Sequence, residues 1–102
     1  MATEGDVRRI CLALPDVTER ASWGRPAWFV RTLVARMWDD GVVTLKTEER
    51  EALASSDPDV FFWTPHHDRS PALVLVRLHA IGLEELEELL TESHRLASGS
   101  RG

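Results

Sequence analysis

One cysteine, no long apolar run and no repeated block set the first limits on this 102-residue chain. A lone Cys11 excludes an intrachain disulfide, and its setting in "VRRICLAL" reads as a small buried apolar residue in a reducing compartment, not a nucleophile. No stretch approaches the ~18 apolar residues a membrane-spanning helix requires, so no membrane association is expected. The start, "MATEGDVRR", has no basic stretch followed by an apolar one, which makes cytoplasmic residence the expectation. No GxSxG elbow is present and no cysteine stands beside an identifiable base, so no catalytic constellation is found and no enzyme is expected. Low-complexity and linker segments are missing too. The chain reads as a single domain over residues 1–102, with its core at about 4–97 and a frayed tail at 98–102.

Positive charge is also scarce. Twelve basic against 17 acidic side chains leave a net charge of −5, which opposes sequence-independent attraction to phosphate. The imbalance is not uniform. Residues 1–46 hold seven basic and six acidic groups (+1), whereas 47–102 hold five and eleven (−6). A phosphate-facing surface therefore belongs to the first half.

What is present has clear periodicity. Thr3 and Asp6 stand at capping-box spacing, and Val7, Ile10, Cys11 and Leu14 then share one helical face until Pro15 stops it. "DVTERASWGRP" has no sustained period and reads as a connection delivering Trp23. Strands are expected at Trp28 to Arg31, Leu33 to Trp38 and Val42 to Lys46. Asp40 and Gly41 supply the positive φ of the clearest turn, while a single bent strand from Trp28 to Trp38 is the alternative around Arg31 and Thr32. Thr47 is the expected N-cap of a short helix, with Glu48 and Glu49 in its first turn. "VFFWT" and "ALVLVRL" are strands, and Leu83, Leu86, Leu89, Leu90 and Leu96 turn the final helix toward a core, with its glutamates as a solvated face.

This order, α-β-β-β-α-β-β-α, predicts an α+β domain of two layers: a five-stranded antiparallel sheet with the helices on one face. The reverse face is expected to be bare, carrying guanidinium groups and indoles together. Alternation puts Phe29 with Arg31, and Val34 with Arg36 and Trp38, on common faces.

Three site readings compete. In "TPHHDRS", His66, His67 and Asp68 resemble metal ligands, but adjacent side chains diverge on an extended backbone and no third ligand has a recognisable spacing. A turn is the better reading; no metal and no cofactor is expected. An anion or nucleic-acid site would draw on Arg25, Arg31, Arg36, Lys46 and Arg69, with Trp23, Trp28 or Trp38 for base stacking, a combination suited to single-stranded DNA before duplex. Against it, the same arginines could simply solvate an open sheet face with their stems on the tryptophans. The third reading makes Trp23, Arg25, Trp63, His66 and His67 the rim of a pocket for a small anion or a protein segment, in a monomer or weak dimer. Its plain counterpart is that Trp23 or Trp63 only fills the core.

"SWGRPAWFV", "DDGVVTLKT", "DPDVFFWTPHHD", "PALVLVRL" and "LEELEELL" follow one another, from about residue 7 to 96, in a series that resembles the MmcQ/YjbR family. The resemblance implies a compact two-layer α/β domain similar in outline to secretion chaperones, and a DNA-binding label. Two departures stand out. "FVRTLVARM" is one residue shorter than the family's first turn and lacks its Gly-Lys, so an anion held there in relatives would fall to Arg31 or Arg36. His67 stands where a tyrosine is usual.

Overall fold

The computed structural model describes residues 1–99; the last three residues of the expected tail lie outside the described residues. The expected capping box forms: the Thr3 amide donates to Asp6 Oδ2 (3.0 Å) and the Asp6 amide to Thr3 Oγ1 (3.2 Å), opening α1 at Glu4–Ala13. Val7, Ile10 and Cys11 are its buried residues. Burial pushes the Cys11 thiol up to about 12, leaving it inert at neutral pH.

The sheet has six strands, not five. Residues 16–26, expected as a connection, contain β1 (Thr18–Ser22), which turns through Trp23 and Gly24 into β2 (Arg25–Phe29). Both turn residues have positive φ, 58° and 79°, as a two-residue hairpin requires. β3 (Leu33–Asp39), β4 (Val42–Lys46), β5 (Phe61–Phe62) and β6 (Leu73–Arg77) complete an antiparallel sheet in the order β1-β2-β3-β4-β6-β5. Between β2 and β3 the chain turns through residues 30–32, which rules out the single bent strand. In the turn after β3 only Gly41, at 70°, takes positive φ; Asp40 does not, and its amide bonds Asp39 Oδ1 instead.

α3 (Leu83–Ala97) packs against β3 and β4, and α1 against α3, β2 and β3. Paired positions share a face, so two interlocking rows, Trp28–Ala35–Leu45–Val74 and Met37–Val43–Val76–Phe61, form the side that meets these helices. A bulge between Trp28 and Phe29 turns Val34 into the same core as Ala35, away from the face that simple alternation gives it. Ser93 ties α3 to the sheet, donating to the Val34 carbonyl (2.6 Å) and accepting the Lys46 amide (2.8 Å). Leu86 and Leu90 are buried as expected, whereas Leu83 is 43% exposed.

α2 (Arg50–Ser56) packs against β5 and starts later than expected. Thr47 Oγ1 accepts the Glu49 amide (3.1 Å) in a turn before the helix, so Glu48 and Glu49 precede the first turn. The first helical residue, Arg50, is only 8% exposed. Its Nη1 donates to the carbonyls of His67 (2.9 Å), Ser70 (3.1 Å) and Leu73 (3.2 Å), and its guanidinium lies 4.0 Å from the Trp63 ring centre.

That clamp holds residues 64–72 as a roof over part of the helix-free face. Arg20, Ala27, Arg36, Thr44, Leu75 and Phe62 form one cross-strand row there. Thr44 and Leu75 are fully buried although no helix covers that side. The expectation of a bare reverse is thus corrected: the β4–β6 half is covered, and the β1–β3 half keeps its arginines. Replacing Arg50 with alanine removes a charged donor from three carbonyls, of which those of His67 and Ser70 keep a backbone N–H, and is expected to cost about 2 kcal/mol of stability, read from urea unfolding. A loss below ~0.5 kcal/mol would show that the roof does not depend on the clamp.

Candidate functional site

Where the roof stops, a cleft of about 340 Å³ opens, lined by Trp23, Arg25, Arg36, Met37, Trp38 and His66. Each is delivered by a different local constraint. The β1–β2 hairpin tip presents Trp23, 92% exposed. Arg25 and Arg36 come from neighbouring strands, and the short 3-10 turn Pro65–His67 brings His66 to 5.6 Å from the Trp38 ring.

The two arginines differ in charge balance. Arg25 meets Asp39 (3.4 Å) and Asp40 (3.3 Å), both highly exposed, so these pairs are weak and replaceable. Arg36 is half-buried and pairs with no carboxylate among the described residues; its guanidinium carbon lies 6.0 Å from the Trp38 ring centre. A partly desolvated cation without a counter-ion favours an incoming anion more than a neutralised one does.

His67 sits behind the cleft, against Trp38. It is 1% exposed, 4.6 Å from Trp38 in an edge-on contact, and its Nδ1 lies 2.8 Å from Thr64 Oγ1. Nε2 is buried with no partner among the described residues, as is the Thr44 hydroxyl on the same side of the sheet. Burial, and then the positive charge of His66, Arg36 and Arg50, hold the His67 pKa below its ordinary value.

The cleft therefore gathers Trp23, Arg25, Arg36, Trp38 and His66, with His67 behind it. Other candidates go elsewhere. Trp28 is no stacking platform: it is fully buried on the helix side, its Nε1 donating to Glu19 Oε1 (2.8 Å), an oxygen that also accepts from Arg8 Nε (2.8 Å). Trp63 is not on the rim, since its ring carries Arg50 and its Nε1 donates to Asp68 (3.2 Å). Arg31 lies beside Gly99 at the end of α3, and Lys46 donates to Thr32 Oγ1, its pKa lowered by burial. Arg69 is exposed on the roof. The five cations thus form no single track.

Two contributors had no signal in the sequence. Arg50 stands in a short helix without a periodic face to mark it, and Arg20 in a segment without period, yet Arg20 shares the cross-strand row of Arg36 and stacks 4.2 Å over Phe29. A larger groove of about 480 Å³ runs between the start of α2 and α3, lined by Glu48, Glu49, Glu85, Glu88 and Glu92 above Leu53 and Leu89. Arg95 spans it from Glu92 to Glu48. It holds no aromatic residue and its charge is that of a solvated helix face, so size alone does not make it the site. Among the described residues, no group of three or more His, Cys, Asp or Glu side chains could hold a metal, and no helix is long and apolar enough to cross a membrane.

One antiparallel sheet, helices on one face and an aromatic-cationic cleft on the other define the class: a two-layer α+β domain. The crystal structure of Deinococcus radiodurans protein DR2400, a DUF419 domain, has the same fold, with a TM-score of 0.78 over 99% of this chain and 91% of that one, at 23% identity. The YjbR family model matches residues 12–96, and the chain belongs to the YjbR family. Uncharacterized protein Rv2570 of Mycobacterium tuberculosis and Uncharacterized protein Mb2600 of Mycobacterium bovis are each 37% identical over 112 residues, covering 91% of this chain and 86% of the relative.

A histidine whose folded pKa is depressed stabilises the fold above its unfolded value and ceases to do so as pH falls through the folded value. His67 is therefore expected to make the protein lose stability as pH falls below about 6.5, the unfolded histidine value. Melting temperatures at pH 7.5 and 5.0 should differ less in His67→Asn than in the parent; an equal difference in both would contradict a buried neutral imidazole.

Proposed function

We propose that this protein is a non-catalytic binding domain of the cytoplasm, monomeric or weakly dimeric, that captures an anionic ligand in the cleft on its helix-free face. The observation that carries this reading is Arg36: half-buried, without a carboxylate partner among the described residues, and flanked by Trp38 and His66. Binding an anion there would offset the charge that Arg36 and Arg50 place around one wall. Nothing in the cleft suggests a nucleophile and base within reach of one another, so binding without turnover is the simpler assignment.

Single-stranded DNA is the second reading, and one observation favours it. Arg20 and Arg36 share a cross-strand row two strands apart, roughly 10 Å from the spacing of β-strands, with Phe29 beneath Arg20. Duplex recognition has less support. The net charge is −5, α3 is acidic, and no described helix carries a basic face to enter a major groove.

Replacing Arg36 with alanine should weaken binding of inorganic phosphate and of a fluorescent oligo-dT by roughly tenfold or more, since it removes a charge-assisted hydrogen bond. Arg31→Ala and Lys46→Ala should stay within about twofold, as these side chains lie outside the cleft. Equal losses in all three variants, or no binding of either probe by the parent, would overturn the proposal.

A further inference from the structure

The cleft has two chemically distinct halves, and together they specify more than an anion. We infer that its ligand is a nucleotide-like phosphate monoester, its phosphate joined through a sugar to a planar aromatic base, with the base against the indoles of Trp23 and Trp38 and the phosphate at Arg36 and His66. This rests on the anion-binding reading above and goes beyond it by naming the ligand class.

Trp23 carries the ring half. A two-residue hairpin with positive φ favours Asn or Asp followed by Gly, and a bulky residue at φ 58° is a local cost. Packing does not offset that cost, because the indole is 92% exposed. The turn would form better without it. What the indole adds is a flat apolar face at the mouth of a cleft whose wall is a second indole, Trp38, beside the His66 imidazole. At about 340 Å³ the space is near the lower end of small-molecule pockets, roughly 300–1,000 Å³, enough for one ring system with a short charged arm.

The charged half points to phosphate ahead of carboxylate. Arg36 alone would balance a monoanion. Around it stand Arg50 behind and Arg25 bound only to exposed carboxylates, with the His66 imidazole at the surface. A dianion engages this excess, and its three oxygens match a guanidinium fork together with an imidazole N–H. The chemistry has two sources, a free mononucleotide or the 5′-terminal nucleotide of a single strand.

Calorimetric titration at fixed ionic strength distinguishes the outcomes. The probes are inorganic phosphate, adenosine, adenosine 5′-monophosphate, and oligo-dT with and without a 5′-phosphate. The monophosphate should bind about tenfold or more tighter than inorganic phosphate and than adenosine. Trp23→Asn, which suits the turn and should melt no lower than the parent, should remove about tenfold of monophosphate affinity while leaving inorganic phosphate within about twofold. A 5′-phosphorylated oligomer tighter than the mononucleotide supports a strand end, and the reverse supports the free nucleotide. Phosphate binding that gains nothing from the ring, or that Trp23→Asn does not split, overturns this inference and leaves the anion reading standing. Adenosine equal to its monophosphate also overturns it. Failure of every probe to bind overturns both.

Discussion

A single buried guanidinium organises the functional side of this domain. Arg50 reaches from the first residue of α2 to three carbonyls, those of His67, Ser70 and Leu73, and so joins the two ends of the segment that lies over the helix-free face. A guanidinium suits this position because several donors lie in one rigid plane, and its face can rest on an aromatic ring, here Trp63. The roof it holds buries Thr44 and Leu75 and sets His66 and His67 against Trp38.

The roof also explains how a chain of net charge −5 presents a cationic site. Glutamates crowd α3, on the helix side, while Arg20, Arg25 and Arg36 occupy the uncovered half of the reverse. Coulomb attraction at short range depends on which charges share a low-dielectric wall, and here these are Arg36 and Arg50. Among the described residues neither forms an ion pair with a carboxylate, and the nearby Arg25 meets two that are exposed to solvent. Of Arg31 and Arg36, only Arg36 lies in the cleft.

Much of the fold was legible because its period is strong. The capping box at Thr3, the runs of β3, β4 and β6, and the leucine stripe of α3 each follow from spacing and residue type. β1 was not legible, because an exposed edge strand of Thr, Glu, Arg, Ala and Ser has no apolar alternation and its turn begins with tryptophan. The grouping of Trp23, Arg25 and His66 around one concavity follows from loop aromatics near cations, and it is what the geometry contains. Trp28 could not be placed: adjacent aromatics at Trp28 and Phe29 leave the phase of the strand open, and the Glu19 that accepts its indole N–H belongs to the strand the sequence hid. Arg50 was the deepest omission. Its role arises from turns 17 to 23 residues away, which no local pattern records.

Four indoles spread over three environments offer the most direct measurement. Trp23 and Trp38 line the cleft, Trp28 is bonded to Glu19 in the core, and Trp63 is bonded to Asp68 beneath the roof. In nitrogen–proton correlation spectra recorded while inorganic phosphate and then adenosine 5′-monophosphate is added, the Trp23 and Trp38 indole signals should move and saturate while those of Trp28 and Trp63 hold still. Saturating shifts confined to Trp28 and Trp63, or to amides of the glutamate groove between α2 and α3, would contradict a cleft that binds anions on the helix-free face.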